Sequence, residues 1–178
     1  FVDGRRIGFV TFSASGVPAS SEEVEEQRTV RRSFYLDGQL RGETVLVENR
    51  RRFVREFAAG GQKLREIEWD ESGRNTDSQW YMNGSIKRRE IDALHEQAPA
   101  RAIEEYWDNG QLRTRGMLVR RGTPIGMHQF FREAGTVASE RYYQRGLLSQ
   151  RRDFNDAGDI VLEESYYEDG SRKSSMRR

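Results

Sequence analysis

Chemistry in this chain would have to come from two histidines, 29 carboxylates, its serines or its arginines, because cysteine is absent. His95 and His128 stand far apart, with no His-x-x-x-His or similar ligand spacing. A metal or general-base role needs such spacing, so both read as surface or loop histidines. No serine sits in a Gly-x-Ser-x-Gly elbow, and no Gly-Lys-Ser/Thr loop is present to cradle phosphate. Carboxylates are so numerous that any two could be named an acid-base dyad, which makes such a pairing uninformative. The expectation is a non-enzyme without catalytic residues, metal or cofactor.

What remains is surface. Five aromatic residues, Tyr35, Tyr81, Trp107, Tyr143 and Tyr167, each lie three positions before a glycine. With Arg88 and Arg120 they form the candidate partner-binding set, since aromatic and arginine side chains dominate protein-binding hot spots. Counting turns in order puts Tyr35, Tyr81 and Trp107 at one sheet edge, and Tyr143 and Tyr167 at the other. The competing reading is local packing over neighbouring Arg and Glu stems. Only three of the 30 basic residues are lysine, and arginines recur as doublets (Arg31-Arg32, Arg88-Arg89, Arg120-Arg121, Arg151-Arg152). Successive strand residues face opposite ways, so a doublet makes no one-sided patch and suits cross-strand pairing with glutamate. Phosphate or lipid-headgroup binding is the lesser use.

The elements carrying these residues follow from a repeat. Gly16, Gly38, Gly61, Gly73, Gly84, Gly110, Gly135, Gly146, Gly158 and Gly170 each have an aromatic residue four positions earlier, from Phe12 to Tyr166. Their gaps are 11 to 12 or 22 to 26 residues, the longer ones reading as two steps. The skipped turns fall at Glu48-Asn49, Ala98-Pro99, Gly122-Thr123-Pro124 and within the charged segment 20–31. With Gly4 as a further turn, 14 steps cover 166 residues, a spacing that suits short antiparallel strands. A three-residue hairpin loop ending in a left-handed glycine sets the anchoring aromatic opposite the residue two after the glycine. Those partners include Leu40, Ile86, Leu112, Val137, Leu148 and Ile160. A twelve-residue step predicts every anchor on one face. The eleven-residue steps predict bulges between Gly73 and Gly84 and between Gly135 and Gly146.

Composition bounds the rest. Hydrophobic residues make up 35% and charged residues 33%, too little to bury for a compact globule. The expected fold is all-β: an elongated single-layer antiparallel β-meander of about fourteen strands, built from twelve-residue strand-turn units. One domain, 1–178, would comprise an irregular N-terminal part (1–31), regular repeats (32–170) and a basic tail (171–178). Ile7, Phe9 and Phe12 are candidates for burial. Segment 20–31 reads as a short helix, with Ser20 and Glu23 as a capping box, or as a charged loop. Residues 91–103 read as an enlarged turn. A net charge of +1 gives no field for nucleic acid, and no apolar run is long enough to span a bilayer. The start at Phe1 without methionine suggests a removed leader, hence a periplasmic or envelope protein, and otherwise a cytoplasmic one.

Three stretches carry a resemblance: residues 122–137 (GTPIGMHQFFREAGTV), 105–113 (EYWDNGQLR) and 33–41 (SFYLDGQLR). They resemble the variant MORN repeat of bacterial YwqK-type proteins over about Ser33 to Gly170, although Gly-x-x-x-Gly is missing around Arg50 and Pro99. The resemblance implies hairpin repeats without a catalytic motif and a bacterial antitoxin- or immunity-like protein that binds a toxin or effector protein. A membrane- or envelope-associated scaffold is the alternative it implies. A membrane surface is the weaker partner, and sheet edges offer a route to homo-oligomers.

Overall fold

The computed structural model describes residues 7–178, so Gly4 lies outside the described part. The fold is all-β, and among the described residues there are fifteen strands, one 3-10 turn at Arg120–Gly122 and no α-helix. The chain forms two compact units, one ending at Gly84 and one spanning Ser85–Arg178. The first holds β1 (Gly8–Phe12), β2 (Pro18–Glu25), β3 (Arg28–Phe34), β4 (Leu40–Val47), β5 (Arg50–Phe57), β6 (Lys63–Trp69) and β7 (Asn75–Trp80). The second holds β8 (Ile86–His95), β9 (Ala98–Tyr106), β10 (Leu112–Val119), β11 (Thr123–Phe131), β12 (Val137–Gln144), β13 (Leu147–Phe154), β14 (Ile160–Tyr166) and β15 (Arg172–Arg177). Within each unit, strands pair antiparallel with their sequence neighbours in a single-layer meander.

Two kinds of turn alternate. Every odd-numbered strand from β1 to β13 ends in a five-residue loop with glycine fourth, at φ between +80° and +88°. That glycine's N–H donates to the carbonyl of the loop's first residue at 2.8–3.1 Å. Only glycine holds this backbone without strain. Most even-numbered strands end more tightly, at Glu26-Gln27, Glu48-Asn49, Glu96-Gln97 and Arg145-Gly146, or in the 3-10 turn after β10; β6 and β14 use the glycine loop. Residues such as Asn49 (φ 62°) and Gln97 (φ 66°) are therefore left-handed without being glycine.

The register confirms the cross-strand pairs Phe34 with Leu40, Tyr106 with Leu112, Phe131 with Val137 and Phe154 with Ile160. Leu148 instead opposes Tyr143, because Gly146 belongs to a two-residue turn. Next to most glycine loops one residue is bulged, for example Arg41 between Leu40 and Gly42 and Val161 between Ile160 and Leu162. That extra residue reverses the side-chain parity. Anchors therefore do not share one face as expected. Phe154 and Tyr166, twelve residues apart, face opposite ways, whereas Phe131, Tyr142 and Phe154 share one face. The bulge expected between Gly135 and Gly146 is present at Ala138. The one expected between Gly73 and Gly84 is not, because Trp69–Asn75 and Glu68–Thr76 pair without a shift. The eleven-residue step there lacks the bulge residue.

Other expectations need correction. Segment 20–31 is neither helix nor loop but the β2–β3 hairpin, whose alternating glutamates face arginines, as in Glu22 opposite Arg31. Residues 91–103 are not an enlarged turn. They belong to β8 and β9, the turn is Glu96-Gln97, and Pro99 pairs opposite Leu94. The tail from Arg172 is a strand paired with β14. Ile7, Phe9 and Phe12 are exposed (47%, 37% and 63%) because β1 has no strand on its outer side among the described residues to cover them.

With one layer, each face is sealed by the stems of its own long side chains. In the first unit Val30, Val45 and Phe53 form one cross-strand row. Beside it runs an ion ladder: Glu23–Arg32 (2.8 Å), Arg32–Glu43 (3.2 Å), Glu43–Arg55 (3.1 Å) and Arg55–Glu66 (2.5 Å). Exposed pairs contribute only about 0.2–1 kcal/mol each, and a shared network does better. Burial works to raise the Glu66 carboxyl, but hydrogen bonding from Arg55 and the nearby Lys63 outweigh it and leave it below its ordinary value.

Candidate functional site

The five aromatic candidates do not form one surface. Tyr35 donates from its hydroxyl to the Phe57 carbonyl (2.7 Å), and Trp107 from its indole N–H to the Phe131 carbonyl (3.3 Å). Phe57 and Phe131 each immediately precede the next glycine loop that follows an odd-numbered strand. Arg132, at the same loop position, donates likewise to the Phe154 carbonyl. Asn109 adds a contact to the Glu133 carbonyl at 3.3 Å. These side chains tie the loops at 35–39, 107–111 and 132–136 each to the next but one. Arg41 and Arg113 lie over the Tyr35 and Trp107 rings, at 5.9 and 4.7 Å.

The other candidates lie elsewhere. Tyr81 is half-buried at the end of the first unit. Tyr143 meets His128 edge-on at 5.1 Å. Tyr167 is 53% exposed, with Lys173 over its ring at 5.7 Å. Arg88 is held between Glu90 (2.7 Å) and Glu105 (2.9 Å). Arg120 is exposed in the 3-10 turn. Cross-strand pairing with glutamate holds for Arg31 with Glu22, Arg32 with Glu43 and Arg152 with Glu163, whereas Arg151 pairs with Asp153 of its own strand.

The second unit carries a different surface, created by an irregularity. Between Arg115 and Met117, β10 has one residue, Gly116; opposite it β11 has three, Gly126, Met127 and His128. The two extra residues bulge, with Gly126 at φ +63°. His128 is consequently buried (5% exposed), not a surface histidine. Its ring lies on Gly116, where a Cβ would come within 2.3 Å of Nδ1. Its Nε2 lies 2.9 Å from the Met117 carbonyl oxygen and 3.3 Å from the Met117 N–H. His95 stays half-buried at the end of β8.

While His128 turns inward, Met127 turns out. Cross-strand pairing puts Ile91, Ala102, Met117 and Ile125 in one row of the opposite face. Met127, Tyr142 and Gln150 form the next row of that face. Ile91 (38%), Met127 (47%) and Tyr142 (37%) stay exposed on this face, and Met127 lines a groove of about 400 Å³ together with Ile125 and Met117. Its rim is polar and self-paired: Arg115 donates to Gln129 (2.6 Å), Gln129 to Glu140 (2.7 Å) and Arg152 to Glu163 (2.8 Å). Tyr106 donates to Glu104 at 2.7 Å, and burial together with that hydrogen bond pushes its hydroxyl up to about 12. On the reverse face, burial works to raise Asp153, yet bonds from Arg151 and Ser139 hold it below its ordinary value. Glu164 is lowered by hydrogen bonds from Tyr166 and Arg172. No group of acidic residues or histidines is arranged to hold a metal among the described residues.

Ile91 and Met127 carry no repeat signature, and the bulge that exposes Met127 shows only as two glycines inside strands, Gly116 and Gly126. Arg132 was legible in principle, because it shares the loop position of Tyr35 and Trp107.

Neither a family model nor a curated protein matches the chain. Solved structures give distant likenesses. TarM matches 51% of this chain and 18% of its own at 13% identity and TM-score 0.38. A TcdB2–TccC3–Cdc42 chain matches 96% of this chain and 10% of its own at 13% identity and TM-score 0.31. A Bacteroides fragilis protein of unknown function matches 85% and 92% at 8% identity and TM-score 0.22. This chain therefore spans under a fifth of the first two. Likenesses of this degree carry no functional argument.

Proposed function

We propose that this chain is a non-catalytic protein-binding repeat protein, of the antitoxin or immunity-like kind, that neutralises an effector protein by direct contact through the Met127–Tyr142 face. One observation carries the reading. On a sheet whose strand charges are largely neutralised by one another, Met127 and Tyr142 stand exposed as a cross-strand pair, and Met127 lines an apolar groove. Aromatic residues and methionine are enriched at interface cores, and a polar rim that satisfies its own hydrogen bonds excludes water around them. Methionine adds an adaptable side chain.

The test is a tagged pull-down from the native host at physiological salt, with mass spectrometry of what co-purifies, comparing the unaltered chain with Met127→Asp/Tyr142→Ala. A stoichiometric protein partner lost in the double variant is the expected result. Retention of that partner by the double variant would move the contact away from this face. Salt-dependent sedimentation with anionic liposomes and no stoichiometric protein would replace the reading with an envelope scaffold.

A further inference from the structure

Arg50, Arg51 and Arg52 open β5 and are the longest uninterrupted run of arginine in the chain. Most strand arginines in this protein face a carboxylate, and these do not. Arg50 stands opposite Val47 and Arg51 opposite Leu46, while Arg52 is the bulged residue before Phe53. On the other side of β5, pairing ends at Phe53 with Glu68, and the next residue of β6 is Trp69. None of the three guanidinium groups makes a hydrogen bond or ion pair among the described residues. Arg50 and Arg51 are exposed and Arg52 is half-buried.

Together with Trp69 and the Asp70–Gly73 loop, the triplet lines an open groove of about 500 Å³. The loop's own carboxylate is already engaged: Asp70 Oδ1 accepts from the Ser72 hydroxyl (2.7 Å) and the Arg74 N–H (2.9 Å). Glu71 is exposed at the rim and makes no ion pair among the described residues. Three guanidinium groups against two carboxylates leave a modest positive excess, concentrated on the β5 side. That balance favours a compact oxyanion over a long polyanion, which would run past Glu71. Guanidinium groups offer paired N–H donors that match the oxygens of a phosphate or sulfate. Trp69 offers a flat ring for whatever carries the anion.

We propose that the Arg50–Arg52 and Trp69 groove binds a phosphate or sulfate ester group. It does so apart from the Met127 face, and the site stands or falls separately from the effector-binding reading. The ester could belong to a free small molecule or to a lipid headgroup, and the chemistry at the groove is the same for both.

Inorganic pyrophosphate is the probe, titrated at low ionic strength while following the Trp69 indole N–H resonance, assigned with Trp69→Phe. A saturable shift is expected. Losing two charge-assisted contacts in Arg51→Gln/Arg52→Gln should weaken binding roughly tenfold or more. Arg50→Gln alone, at the exposed strand end, should weaken it a few-fold, which tests the site without touching the bulge. Lys173→Gln removes the same unit of charge from β15 and should change the affinity less than about twofold. The proposal is overturned if pyrophosphate gives no saturable shift, or if Lys173→Gln weakens binding as much as the triplet variants. Vesicles with and without a phosphoinositide then separate the sources. Sedimentation that pyrophosphate competes away assigns the ester to a headgroup, and pyrophosphate binding without sedimentation assigns it to a free ligand. Sedimentation that pyrophosphate leaves unchanged overturns the groove as the site.

Discussion

The turns that follow odd-numbered strands and those that follow even-numbered strands solve the same problem in opposite ways. The odd set is uniform: seven five-residue loops, each with a left-handed glycine, several reaching sideways to the next through Tyr35, Trp107, Asn109 or Arg132. The even set is mixed, mostly two residues long, and holds non-glycine residues such as Glu48, Asn49, Glu96 and Gln97 in left-handed backbone. Between its turns Arg145–Glu168, at 3.9 Å and almost fully exposed, is a side-chain contact of comparable reach. One set of turns is held by its neighbours, and the other by its own hairpins. The Arg50–Arg52 groove belongs to the second set, where arginines are not committed to holding turns together.

Substitutions can break this contrast. The largest effect is expected at Trp107→Ala, which removes the bond to Phe131, the stacking under Arg113 and half-buried ring area, and should destabilise by about 2–3 kcal/mol. Its counterpart Tyr167→Ala, at an even turn, should cost below about 0.5 kcal/mol. Equal losses in urea unfolding would erase the distinction. Next is Gly110→Ala, where a side chain at φ +83° should cost about 1–2 kcal/mol. Gln97→Gly should do the reverse and stabilise by about 0.5 kcal/mol, because it relieves a left-handed glutamine. A loss at Gln97→Gly would mean that the tight turns are selected for their side chains.

The effect that is lost in acid concerns the strands between the turns. Glu66, Asp153 and Glu164 all have carboxyls held below their ordinary values in the fold. The unfolded chain then binds more protons than the native one through the acid range, so stability falls as pH falls. The contribution is present above the unfolded carboxylate range and is lost below about pH 4.5 and downward. Acid should therefore loosen strand interiors while leaving Gly110 and Gln97 effects intact, which hydrogen exchange would show as protection lost first in β5, β6, β13 and β14.

How much of this could be read beforehand follows the same division. The glycine loops were legible because a single residue type dictates each one, and the aromatic four positions earlier fixed its cross-strand partner. The even turns were not, since Glu96-Gln97 has no turn-former and Pro99 pointed two residues too far along. Face assignment failed at Tyr166 because a bulge adds one residue without changing composition. The Met127 face was invisible for a related reason: it depends on a two-residue excess opposite Gly116 that only the pairing of β10 with β11 reveals. The doublets Arg31-Arg32 and Arg88-Arg89 read correctly as cross-strand pairing devices, whereas Arg120-Arg121 sits in the 3-10 turn. The Arg50–Arg52 triplet departed from that rule because the opposite strand offers Val47 and Leu46 in place of carboxylates.

The alternation of two turn sets, with side-chain parity reversed at steps such as Phe154 to Tyr166, limits how such a sequence can be lengthened or shortened by gene duplication and deletion. Copying a single strand-turn step that carries such a reversal would turn the downstream side chains to the wrong surface and give each loop the neighbours of the other set. Copying two steps restores both. The heritable module is therefore a strand pair, and its span is preserved in the 22 to 26 residues that separate the glycines of successive odd loops from Gly16 to Gly158. Within a pair, residues can drift, as the bulge opposite Gly116 shows. Indels of a single strand should be purged.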